Sequence, residues 1–197
     1  MRLALLLACL AVPALAQDGP SFDCAKAESA AEELVCADPE LAALDRRVAD
    51  RYAAALEAIR GLDTGAEEAE ADLRAWQRGW IGGRDECWKA EDRRDCVLFS
   101  YQSREAELVT QWLLEEPVNT VEYMCEDRSS FVVMVFDTEL PSIRIERGDT
   151  ISTGTLSPTG SGARYDANFG EFVWMQGDEA IYRAPDPDGA ETACTVM

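Results

Sequence analysis

Six cysteines divide this chain before any helix or strand is assigned to it: Cys24, Cys36, Cys87 and Cys96 precede residue 100, and Cys125 and Cys194 follow residue 120. A seventh, Cys9, lies in the opening segment 1–16, MRLALLLACLAVPALA, where Arg2 precedes an apolar run from Leu3 to Val12 and a small-x-small ending at Ala14 to Ala16. Those are the parts of a secretory signal peptide cut after Ala16, and the run falls short of the roughly 20 residues that span a bilayer. A periplasmic or secreted chain left with an even number of cysteines is expected to form disulfides. Two bridges in residues 17–116 and one, Cys125 to Cys194, in residues 117–197 is the simplest partition; the pairing among the first four cysteines stays open.

The pattern changes at LLEEPVNT, residues 113–120, where helical spacing ends ahead of Pro117 and short alternating segments begin. In the first region Asp38 is placed to cap a helix with Pro39 at its first position, and Leu41, Leu44, Val48, Tyr52, Ala55 and Ile59 recur on one face up to Gly61. A second helix is expected from Thr64, with Glu67 completing a capping box and Leu73, Trp76 and Trp80 in the core, until Gly82-Gly83 ends it. A third runs from about Asp95 to Leu114. Three helices make a thin core, so bridges are expected to supplement it. The second region reads as short strands: VEYMC, FVVMVF, SIRIER, TISTGTL, GARY, EFVWM and AIYRA. In SIRIER, Ile143 and Ile145 alternate with Arg144 and Glu146, which predicts one wet face. The fold class expected is α + β in two domains, with a disulfide-bridged helical hairpin or bundle followed by a small antiparallel barrel or sandwich.

There is no histidine in the sequence, which excludes a histidine-built metal site and removes the usual base for a serine nucleophile. Ser161, set between Gly160 and Gly162 in PTGSG, is therefore read as non-catalytic, and on local composition alone the stretch is a polar turn. The acidic runs at 67–72 and 184–191 lack the spacing of a calcium loop, and adjacent pairs such as Asp178-Glu179 point to opposite faces of a strand. No catalytic residue, metal or cofactor is expected. Lys plus Arg number 18 and Asp plus Glu 38, and the excess of acid is shared: 12 basic against 24 acidic residues in 17–117, 5 against 14 in 118–197. Such a surface argues against nucleic acid and for a basic partner, with solubility as the plainer explanation.

Two family resemblances follow. FDCAKAESAAEELVCADPELAALDRRVADRYAAAL, with LRAWQRGWIGGRDEC and DCVLFSYQSREAEL, spans residues 21–114 and resembles the LprI-like periplasmic domain, members of which are linked to lysozyme inhibition. SGARY at 161–165, the aromatic FVW, and GDEA at 177–180, bounded by YMC and a cysteine near the end, resemble the MliC-like family of C-type lysozyme inhibitors over about residues 120–195. That resemblance implies an eight-stranded barrel whose Ser-Gly loop enters the lysozyme cleft. By position, Ser161, Gly162, Ala163, Arg164, Tyr165 and Gln176 would meet the enzyme, C-type lysozyme foremost. Gln176 stands where the family usually has a lysine, and one extra residue lies between SGARY and GDEA. The function implied is lysozyme inhibition without chemistry of its own; the alternative is a non-inhibitory binding or assembly module for an envelope partner.

Overall fold

The computed structural model describes residues 19–187 and 189–197; the expected signal peptide at 1–16, with Cys9, lies outside them. Four helices come first. Helix α1 (Ala30–Ala37) starts at a capping box in which Glu32 N–H donates to Ser29 Oγ and Ser29 N–H to Glu32 Oε2, each 3.1 Å. It is absent from the reading above because only two turns of sequence precede Asp38, too few for a periodicity. Helix α2 (Pro39–Arg60) begins as expected, with Asp38 Oδ1 accepting from the Glu40 and Leu41 N–H groups.

Helix α3 (Ala66–Asp85) departs from expectation at both ends. Thr64 does not cap it; Gly65 at φ +75° provides the turn, with no side-chain cap. Nor do Gly82 and Gly83 end it, because Arg84, one residue on, is fixed by hydrogen bonds to Tyr101 Oη and Asp85 Oδ1, each 2.8 Å, and tertiary contacts override the glycines' poor helix propensity. Helix α4 (Arg93–Trp112) is capped by Asp92, whose Oδ1 accepts from Asp95 N–H at 3.0 Å, and stops at Leu113 in the left-handed region. Leu41, Leu44, Val48, Ile59, Val97 and Leu108 fill the core, with Trp80 edge-on to Tyr101. Trp76 is not in that core: it is 60% exposed, at the edge of the stripe that α3 turns toward α2 and α4. Disulfides Cys24–Cys36 and Cys87–Cys96 tie 3₁₀ turns at Cys24–Lys26 and Glu86–Lys89 to α1 and α4.

Eight antiparallel strands then close a barrel in sequential order: β1 (Asn119–Cys125), β2 (Ser130–Phe136), β3 (Ser142–Arg147), β4 (Thr150–Ser157), β5 (Ala163–Ala167), β6 (Phe172–Gln176), β7 (Glu179–Arg183) and β8 (Glu191–Val196). The eighth strand is a polar segment that the alternation pattern did not single out. Closure runs through β1 and β8, where Cys125 and Cys194 are direct partners and form the third disulfide. Closing the sheet leaves no unpaired edge. Tyr123, Phe131 and Tyr182 stack inside at 5.4 and 4.7 Å between ring centres, among Val133, Ile143, Ile145 and Val173.

The outward face of β3 is dry, contrary to the alternation. Ser142, Ile143, Arg144 and Ile145 are all buried because α4 lies across β3 and β4. Arg144 Nη1 donates to the Gln111 and Thr110 carbonyls at 2.6 and 3.3 Å, supplying a cation to the end of α4 where unpaired carbonyls and the negative pole of the helix lie. A second bond between the domains is ionic: Arg47 pairs with both buried Glu105 of α4 and Glu139 of the barrel, and Gln102 donates to Glu139 at 2.9 Å. Among the described residues no helix is long and apolar enough to cross a membrane.

Candidate functional site

The loop joining β4 to β5 and the turn joining β6 to β7 lie side by side at one end of the barrel, because β5 and β6 pair in unbroken register from Ala163 opposite Met175 to Asp166 opposite Phe172. Any change in length between SGARY and GDEA therefore falls in the 167–171 connection at the far end, and Gln176 stays beside Gly162. The glycines flanking Ser161 are not equivalent. Gly160 has open space around it, whereas Gly162 sits at φ +66° with its missing Cβ directed into the Met175 carbonyl, far inside van der Waals contact, and at 3.0 Å from Gln176 Cγ. Only glycine fits there, on conformation and on space.

Ser161 is exposed. Its carbonyl is fixed by Trp174, whose Nε1–H donates at 2.8 Å, and by the Thr159 hydroxyl at 3.3 Å; among the described residues its own hydroxyl has no hydrogen-bond partner. The loop thus holds a backbone in place and leaves a neutral donor-acceptor group free. Trp174 is the residue that sequence reading missed, although strand alternation places it on the same outer face as Gln176. Both border a shallow depression of about 470 Å³ that also includes Met124, Glu179, Ile181 and Ala193.

The remaining predicted positions divide. Ala163 is half-buried at the start of β5. Arg164 is laid flat on the barrel wall, its guanidinium 3.9 Å over the Phe172 ring and its Nε 2.8 Å from Asp166 Oδ1. Tyr165 does not reach the surface: it is 6% exposed, inside the barrel, where burial raises its phenol pKa. It supports the loop from beneath. Gln176 is exposed at the end of β6, before Gly177 at φ +67°.

Residues 24–115 match the family described as lysozyme inhibitor LprI, and residues 123–190 match MliC, described as membrane-bound lysozyme-inhibitor of c-type lysozyme. Lipoprotein LprI of Mycobacterium tuberculosis and that of Mycobacterium bovis are each 28% identical to this chain over 179 residues, 89% of this chain and 84% of theirs. A crystal structure of Pseudomonas aeruginosa MliC in complex with hen egg white lysozyme is similar over 40% of this chain and 81% of that one, at 22% identity and a TM-score of 0.35. The two matched ranges coincide with the helical bundle and the barrel, so this chain belongs to the lysozyme-inhibitor families, an LprI domain followed by an MliC domain in one polypeptide.

Proposed function

We propose that the protein inhibits lysozyme, C-type enzymes foremost, by inserting the Ser161-Gly162 loop into the active-site cleft, and that it acts in the periplasm or outside the cell. The observation that carries this reading is Gly162, a position where no side chain fits, supporting an exposed serine whose carbonyl is already fixed by Trp174. A loop ordered before binding loses little entropy on entering a cleft. The free hydroxyl both donates and accepts, which suits an acid paired with a carboxylate, the arrangement at the centre of a glycosidase. Gln176 gives a neutral contact next to it, and the acidic excess of both domains speeds encounter with a basic enzyme.

Inhibition titrations of the full chain against C-, G- and I-type lysozymes test this. Ser161→Ala is expected to weaken inhibition of the C-type enzyme by about 1–3 kcal/mol, through partners left buried and unpaired, which is roughly 5- to 150-fold. Ser161→Trp should abolish it on size, and Gln176→Lys should strengthen it by restoring a charge-assisted bond. Undiminished inhibition by Ser161→Trp would remove the loop from the mechanism.

A further inference from the structure

A cleft of about 400 Å³ opens between the helical bundle and the barrel, at the end of β4 and β5 opposite the Ser161 loop. Its size is that of a small-ligand site, and its lining joins α3 and α4 to the β5–β6 connection. Arg104, on α4, is 2% exposed. Its Nε donates to Gln77 Oε1 at 3.0 Å and its Nη1 to Glu107 Oε2 at 2.7 Å, but Nη2 is buried with no partner among the described residues. A buried donor without an acceptor is uncommon; Arg104 lines the cleft, and a shift of its guanidinium would turn this N–H toward an acceptor held there.

Two aromatic rings stand at the cleft and contribute little to folding. Trp76 is 60% exposed and Phe169 74%. Phe169 also adopts φ 55°, an unfavourable left-handed conformation for a residue with a side chain, and is held there by the Asp186 N–H, which donates to its carbonyl at 2.8 Å. A large apolar side chain kept in water on a strained backbone is explained by what it meets. Trp112 is half-buried in the same lining.

Charge narrows the ligand. Glu107 already pairs with Arg104, and Glu171 accepts from Tyr182 Oη at 2.8 Å. An anion would therefore meet one cation that is already neutralised, beside three carboxylates, and a cation would find only one of these, Asp72, unpaired among the described residues. The neutral polar groups left uncommitted among the described residues are the side-chain amides of Gln111 and Asn168 and the hydroxyls of Ser152 and Thr153, which give and accept hydrogen bonds without charge. Flat apolar faces, neutral amides and a buried N–H seeking a carbonyl together describe a pyranose that carries an acetamido group. We propose that this cleft binds a short oligosaccharide of N-acetylated hexosamine, stacked on Trp76 and Phe169, with its acetamido oxygen accepting from Arg104 Nη2. The site is separate from the lysozyme loop and does not depend on it.

The full chain, without lysozyme, is titrated with triacetylchitotriose, with cellotriose, which has the same rings but no acetamido group, and with the tripeptide Ala-Lys-Ala, following tryptophan fluorescence and calorimetry. Saturable binding of triacetylchitotriose with Kd on the order of 1 mM or tighter, and at least about tenfold weaker binding of cellotriose, is expected. Trp76→Ala and Phe169→Ala, both at exposed positions, should each weaken triacetylchitotriose binding about tenfold with unchanged circular dichroism. Arg104→Lys should erase the preference between the sugars; if it fails to fold, the two aromatic variants still decide. Ser161→Trp should bind the sugar like the parent chain, so a failure of the loop reading leaves this one standing. Absence of saturable sugar binding, equal affinity for the two sugars, insensitivity to both aromatic variants, or tighter binding of the tripeptide would each overturn the proposal.

Discussion

In the helical domain the charged groups of Arg84 and Asp45 meet at Tyr101 in the middle of the core, each bonded to its hydroxyl at 2.8 Å, whereas the barrel fills its middle with stacked rings and aliphatic side chains, and its comparable trio, Tyr182 with buried Glu171 and Arg147, ends on an exposed arginine. The difference follows from size and from how each fold treats its backbone. A short bundle has little apolar surface to bury, so it completes its interior with a hydrogen-bonded chain in which every member needs its partner. The barrel satisfies its main chain by closure, and what it must protect is the seam between β1 and β8. The cross-links follow the same division: two close short segments of 12 and 9 residues in the bundle, and one spans 69 residues at the seam.

The largest expected effect tests that division. In the chain-entropy model, removing Cys125–Cys194 costs about 4 kcal/mol, and removing either bundle bridge costs about 3 kcal/mol. Denaturant midpoints of the three paired Cys→Ser variants, with their m-values, measure this. Equal losses would mean that the ladder alone holds the seam.

Alkali should distinguish the domains next. Burial raises the phenol pKa of Tyr101 in the bundle and of Tyr123, Tyr165 and Tyr182 in the barrel, and Glu171, accepting from Tyr182, helps to push that group up to about 12. In the unfolded chain these tyrosines lose their protons near pH 10, so above that pH the unfolded state binds fewer protons than the native state. Their contribution is complete below about pH 10 and falls by about 1.4 kcal/mol per pH unit for each tyrosine until its folded pKa is reached, up to about 3 kcal/mol for Tyr182 alone. Stability measured from pH 9 to 12 should fall more steeply in barrel signals than in helical ones. Tyr182→Phe should flatten part of the slope, and an unchanged slope would exclude Tyr182 as its source.

Legibility differed between the domains for physical reasons. Local signals wrote the start of α2 plainly, since Asp38 and Pro39 act on the residues next to them, and the strands of the barrel appear in period-two alternation. What the sequence concealed depended on contacts between distant segments. Arg144 reads as a solvated strand residue until α4 is laid over it, and Trp76 as a core residue until the edge of the α3 interface is known. At the candidate site, the resemblance to SGARY located Ser161, but the need for Gly162 arises from the Met175 carbonyl on the neighbouring strand. Neither Trp174's hold on the loop nor Tyr165's burial could be read without the register of β5 and β6.

The smallest effect bears on whether the two domains form one folding unit. Arg144 is the point where their opposite habits meet: a barrel residue on an outward face, 6% exposed, whose guanidinium closes the carbonyl end of a bundle helix and pairs with Glu146 at 2.7 Å. Arg144→Met keeps much of the side chain's apolar stem and removes the charge, so packing is largely retained while the α4 carbonyls and Glu146 lose their donor. The expected cost is about 2 kcal/mol, the range for hydrogen bonds to charged groups. Its form is more informative than its size. With Arg144 in place, helical circular dichroism and near-ultraviolet barrel signals should unfold together; with methionine, the barrel should unfold at a different midpoint from the bundle, since the Arg47 to Glu139 pair that remains is partly exposed and weak. Coincident transitions in the variant would place the coupling in the apolar contact between α4 and the barrel wall.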